Sequence, residues 1–178
     1  MSIVLLFAAL PSGSIGQSSG PSQVDVETVY LFNFTKFVRW PAGHDGEPLN
    51  VCIAGEKAYA DSAAKVVAGE RIETRPLAAR FVQNSDEIKD CSILFIGASA
   101  KDRSEGFLNA AARQPTLTVS DIPGFLERGG MINFIVLNNR VRFAVNLDAV
   151  EKSGLSLSSE LLKVAVKVEG KTPGETVR

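Results

Sequence analysis

Residues 24–41, VDVETVYLFNFTKFVRWP, hold the densest apolar pattern in the chain. Ten of these eighteen are Val, Leu, Phe, Tyr or Trp, too many for a helix with one narrow buried stripe. At 100° per residue, Val26, Val29, Tyr30, Leu31, Phe34, Phe37, Val38 and Trp40 share one wide arc. Asp25, Thr28, Thr35, Lys36 and Arg39 gather opposite. The spacing predicts a helix stopped at Pro41. Two residues break the pattern: Asn33 lies within the apolar arc and Phe32 within the polar one. A helix apolar over more than half its girth, with an aromatic on its wet side, is expected to touch more than one surface.

The rest of the chain alternates. Residues 41–48 (PAGHDGEP) read as a loop, and 49–54 as a short buried strand ending at Gly55. A helix follows over 57–68, closed by Gly69. Residues 71–81 alternate loosely around Pro76 and predict one edge strand. CSILFI at 91–96 is a second buried strand, ending at Gly97. Residues 101–113 are helical in composition, and 116–119 form a third strand. Residues 131–136 and 141–145 are β-rich runs joined at Asn138-Asn139, a hairpin signal because Asn tolerates left-handed backbone. Asn146 is placed to cap a helix ending at Gly154, and Ser158 to cap a last one over 159–168. This order predicts a single α/β domain of three layers, its sheet mostly parallel with an antiparallel C-terminal hairpin.

The apolar residues 1–10 are too few to span a bilayer. With the Ser, Gly and Gln that follow, they read as a signal peptide over 1–16, with Ser14 and Gly16 framing cleavage. A flexible lead-in is expected over 17–23, the folded domain over 24–169, and a disordered tail over 170–178. The net charge of −1 argues against nucleic acid as a partner, and no membrane insertion is expected once the signal is removed. Cys52 and Cys91 are the only cysteines. In an exported protein an even count favours a disulfide, with two separate buried thiols as the alternative.

The signals for catalysis are sparse. Neither strand–Gly–helix unit has the glycine spacing of a nucleotide fingerprint or a P-loop. Small residues after Gly97, with Lys101, are arranged to cradle an anion, although a plain connection is the simpler reading. The only histidine, His44, lies in a Pro/Gly-rich loop, and Ser120-Asp121 follows a strand without a visible base. No cofactor, metal site or catalytic residue is expected. An enzyme reading would need Ser120 or Asp121 beside a strongly perturbed titratable group.

Five blocks resemble the YfiR family: YLFNFTKFVRWP at 30–41, TVSD at 118–121, GGMINF at 129–134, RFAVN at 142–146 and SGLSLSSELLKVA at 153–165. The resemblance runs over nearly all of 24–168. It implies a periplasmic, non-catalytic α/β protein that dimerises and represses a membrane diguanylate cyclase by binding its periplasmic part. Cyclic-di-GMP signalling and biofilm formation would follow. Cys52 and Cys91 match one cysteine pair of that family. Residues 146–160 lack the second pair that some members carry, so redox switching through a second bridge is not expected.

Under this reading Phe32, Leu155, Leu157 and Leu161 are candidates for a partner-binding patch, with core packing as the simpler role for the leucines. The alternative is a small-ligand site at the strand C-terminal ends, near Gly55, Gly97, Ser120 and Asp121.

Overall fold

A computed structural model describes residues 20–42 and 48–170. The expected signal peptide, most of the expected lead-in, His44 and residues 171–178 of the expected tail lie outside the described residues.

Helix α1 (Gln23–Phe37) opens on a capping box. The Ser22 hydroxyl accepts from the Asp25 amide, and the Asp25 carboxylate accepts from the Ser22 amide. Its end differs from the sequence expectation. The helix stops at Phe37, and β1 (Val38–Arg39) runs extended against β9 (Ser156–Leu157). The proline at 41 acts early because it disfavours helical backbone before it, and the strand pairing takes up the β-branched Val38.

The remaining elements are β2 (Leu49–Ala54), α2 (Lys57–Val67), β3 (Arg71–Ile72), β4 (Arg75–Phe81), β5 (Cys91–Ile96), α3 (Ser104–Ala111), β6 (Leu117–Ser120), β7 (Ile132–Leu137), β8 (Arg140–Asn146), α4 (Leu147–Lys152), α5 (Ser159–Val164) and β10 (Lys167–Glu169). The main sheet has the order β10-β8-β7-β6-β5-β2-β4-β3. Strands β4, β2, β5, β6 and β7 are parallel, and β8 returns antiparallel to β7. The domain is therefore α/β, mostly parallel, with the antiparallel C-terminal hairpin that the sequence predicts. Asn138 and Asn139 both hold positive φ at the turn.

Three further expectations are corrected. Residues 71–81 are two strands, not one, because Glu73 adopts a left-handed turn and folds β3 antiparallel onto β4. The last helix ends at Val164 instead of reaching 168. Its V-A-V-K-V tail turns extended and adds β10 parallel to β8, covering that sheet edge. A 3-10 segment (Ala98–Arg103) also precedes α3 and takes up 101–103 of the helix predicted over 101–113, and α3 itself ends at Ala111.

Strands β2 and β5 are buried along their whole length because helices cover both sheet faces. On one face Val51, Ile53, Ile93 and Phe95 meet α1 and α2. On the other, Leu94 and Ile96 meet Phe107 of α3 and Phe125. Gly130 serves this second core, since a Cβ there would fall 2.2 Å from the Phe125 ring.

Cys52 and Cys91 form a disulfide that ties β2 to the start of β5 across thirty-nine residues of chain. On a chain-entropy basis it contributes about 4 kcal/mol. Replacing both cysteines by alanine should lower the melting temperature by about 10 °C in a domain of this size, and reductant should do the same to the native chain. Scanning calorimetry with and without reductant checks this.

Candidate functional site

Strands β2, β5 and β6 end side by side at Ala54, Ile96 and Ser120. Gly97, Ser120 and Asp121, expected with Gly55 to frame a ligand site, have different fates there. The Gly97 amide donates to the Ala54 carbonyl, and a Cβ on the facing Gly55 would come within 3.3 Å of the Gly97 Cα. These glycines let two strand ends approach closely. The Ser120 hydroxyl is buried, donates to the Ile96 carbonyl at 2.5 Å and accepts from the Ile122 amide at 3.0 Å. It has no proton free for chemistry. Asp121 alone of the three turns toward other functional groups.

Those groups are Tyr59 of α2 and Glu27 of α1, neither of which sequence reasoning named. Glu27 is fully buried. Its Oε1 accepts from Gln23 Nε2 at 2.8 Å, and its Oε2 accepts from the Tyr59 hydroxyl at 2.9 Å. The same hydroxyl lies 3.5 Å from Asp121 Oδ2, while Asp121 Oδ1 is buried without a hydrogen-bond partner of normal geometry. Burial holds the Glu27 carboxyl above its ordinary range, against the Gln23 and Tyr59 hydrogen bonds, and the Asp121 charge adds to the shift. Burial likewise raises Asp121, against the Asp121 and Ala98 backbone amides and the Tyr59 hydroxyl, with Glu56 adding to it. Tyr59 is raised by burial first and then by the charges of Glu27 and Asp121.

Asp121 thus sits beside perturbed groups, the condition set for an enzyme reading. The cluster holds carboxyls and a phenol in contact, but the neighbouring Ser120 is spent on backbone bonds. The cluster itself holds no serine, cysteine or threonine that a neighbouring base could activate as a nucleophile. Among the described residues, no three His, Cys, Asp or Glu side chains gather as metal ligands.

A cleft of about 560 Å³ opens beside the cluster, with Glu27, Asp121 and Glu127 on its acidic side and Leu126, Val136 and Leu137 among its apolar lining. Lys167, also at the cleft, pairs with Glu169 at 2.5 Å.

The candidate partner residues also separate. Leu155 and Leu161 are buried in the main core, and Leu157 is half-buried in β9. Phe32 is half-buried against the same core, and the Lys36 ammonium lies 4.1 Å from its ring centroid. The apolar side chains that α1 leaves open lie elsewhere. Val29 is 45% exposed, as are Val136 (53%) and Leu137 (46%) at the hairpin tip. Beside Tyr30 a groove of about 470 Å³ is lined by Val26, Val136 and Val141 together with Gln23, Arg140 and Arg142. Thr28 and Thr35, expected on the wet side, are buried instead. The Thr28 hydroxyl meets Ser62 of α2 at 2.9 Å, because α1 has a second helix beside it as well as the sheet below.

A sequence signal for Glu27 existed. It stands four residues before Leu31 and seven before Phe34, on the most buried stripe of α1. Tyr59 had only the weaker signal of an aromatic on a helix, and its partners come from elements far away in sequence.

Removing the Tyr59 hydroxyl leaves Glu27 short of a donor in a buried place. Tyr59→Phe should cost about 1–3 kcal/mol of stability, read as a lowered urea midpoint with an unchanged slope.

Comparison with known proteins follows this geometry. The structure resembles a conserved domain protein from Vibrio cholerae O1 biovar El Tor, with a TM-score of 0.57 and 12% identity, covering 83% of this chain and 60% of that one. It also resembles the ABC domain from Streptococcus pneumonia in complex with L-Trp, with a TM-score of 0.52 and 8% identity, covering 68% of this chain and 55% of that one. The chain thus spans less than two thirds of either protein, and at these identities the likeness is one of fold. The YfiR/HmsC-like family model (DUF4154) matches residues 24–166, which takes in both α1 and the hairpin. This chain belongs to the YfiR/HmsC-like family.

Proposed function

We propose that this protein is a periplasmic regulator that binds the periplasmic part of a membrane diguanylate cyclase and holds it inactive, without catalysis of its own. The observation that carries the reading is the unpartnered apolar surface along α1 and the hairpin tip, at Val26, Val29, Tyr30, Val136 and Leu137, in a chain of a regulatory family. Exposed apolar side chains that line a groove are what a protein partner covers. Phe32 and Leu157, each half-buried, could extend that contact, and a homodimer could use the same surface. The mechanism is occupancy: the bound form keeps the cyclase in one arrangement, and release frees it. Among the described residues, no helix is long and apolar enough to cross a membrane.

The acidic, apolar-walled cleft supports a second reading, a small-ligand site. A ligand with a hydrogen-bond donor or positive charge and an apolar body would suit Asp121 and Leu126. A metabolite panel that raises the melting temperature through this cleft, with no membrane partner recovered, would favour that reading.

Val29→Glu and Phe32→Glu separate surface from core. Val29→Glu should abolish capture of a cyclase from solubilised membranes while changing stability by no more than about 0.5 kcal/mol. Phe32→Glu should weaken capture with a larger loss of stability, since its ring also packs on the core. Deletion of the protein should raise cellular cyclic-di-GMP. Recovery of no cyclase by the wild type, with cyclic-di-GMP unchanged on deletion, would falsify the regulator reading.

A further inference from the structure

The Tyr59 hydroxyl has one proton and two carboxylates to serve. Glu27 receives it at 2.9 Å. Asp121 Oδ2, at 3.5 Å, then faces a phenol oxygen whose proton is already given to Glu27, and Oδ1 is buried with no hydrogen-bond partner of normal geometry. Two ionised carboxylates on one buried phenol would be costly. A proton on Asp121 removes the conflict. The acid then donates to a lone pair of Tyr59, Tyr59 donates to Glu27, and Gln23 donates to the other oxygen of Glu27. One negative charge remains, placed on the carboxylate that has two donors.

The surrounding charges favour keeping that proton. The charges acting most strongly on the three groups are their own and that of Glu56, which precedes α2, and all are negative. Across the cleft stand Glu127 and the Lys167–Glu169 pair, whose cation is already matched. From the segment after β5 comes the Ala98 amide, which together with the amide of Asp121 itself acts against the shift without outweighing burial.

We propose that Asp121, Tyr59 and Glu27 hold one shared proton at pH values where ordinary carboxylates have lost theirs, and that this proton fastens α1 to the C-terminal ends of the strands. The three residues come from three elements: the turn after β6, α2, and the N-terminal half of α1. When the proton leaves, charge repulsion acts across the joint that seats α1. The groove beside Tyr30, with Val26 and Val136 on its apolar part and Arg140 and Arg142 on its polar part, shares that half of α1, so the device would bear on whatever α1 binds. The inference does not rest on the identity of any partner, and its test uses the isolated chain, so either reading can fail alone.

The sign follows from linkage. A carboxyl whose folded pKa lies above its unfolded value of about 4 binds more proton folded than unfolded across that interval. Its contribution is fully present below about pH 4 and is lost as pH rises through the folded value. Carbon-13 titration of the side-chain carboxyls in the full chain should place Asp121 above the ordinary carboxylate range. Asp121→Asn supplies a fixed donor to Tyr59 and should flatten the fall of melting temperature as pH rises above that range. In the wild type, α1 amides should exchange faster toward alkaline pH than base catalysis explains, and in the variant they should not. If Asp121→Asn does not fold, the wild-type titration decides, supported by its change in Tyr59→Phe. Ordinary titration of both Asp121 and Glu27, or an Asp121→Asn variant with an unaltered pH slope, would overturn the proposal.

Discussion

Phe34 sits with its ring centroid 5.2 Å from Phe143 and 6.0 Å from Phe134, and it is through this contact that α1 rests on the sheet. The helix has to lie there because β6, β7 and β8 present apolar side chains on that face that would otherwise be open to water. Once Phe34 is seated, the helical repeat leaves little choice for the preceding turns. Leu31 follows into the core, and Glu27, two turns away on the same stripe, is carried to the strand ends whatever its charge. There it finds Gln23 and Tyr59, and the cost of its burial is met by two hydrogen bonds.

The same seating decides what stays outside. With Leu31 and Phe34 facing down and Thr28 facing α2, Val29 can only face water, and Val26 and Tyr30 stay half-open beside the hairpin. The wide apolar arc of α1 is thus divided between the sheet and the surface. Its two threonines are tolerated in the interior because their hydroxyls bond locally, Thr28 to the Val24 carbonyl and Thr35 to the Phe32 carbonyl. The opposite sheet face needs no such compromise. Leu94, Ile96, Phe107 and Phe125 make a plain apolar core, and the disulfide adds a covalent tie between its strands.

The legibility of the chain follows this division. CSILFI could be read as a buried strand because both its faces are covered, and continuous apolarity is the only pattern that satisfies two cores. Asn146 and Ser158 were readable as caps because a cap bonds an amide three residues away, to Ala149 and Leu161 respectively. Residues 165–168 were misread as helix because they continue the apolar run of α5, while the strand they join depends on an open sheet edge at β8, which lies twenty or more residues earlier in sequence. The candidate site was less legible. Asp121 could be suspected as a polar residue at a strand end, but its meaning depends on Tyr59 and Glu27, sixty-two and ninety-four positions upstream.

By itself the sequence determined the kind of each main element, the parallel α/β order, the hairpin turn and the family signature. All of these are written in periodicities, caps and blocks that act over a few residues. Only the tertiary structure decided which side of α1 is buried, where the chain ends a helix to add a strand, and that two carboxyls share one phenol. Those outcomes depend on which distant surfaces compete for the same side chain, and a helical wheel shows a helix with no neighbours. The opening helix, read alone, promised contact with more than one surface. Packed in place, α1 has the sheet below and α2 beside it, and leaves a third, apolar side uncovered.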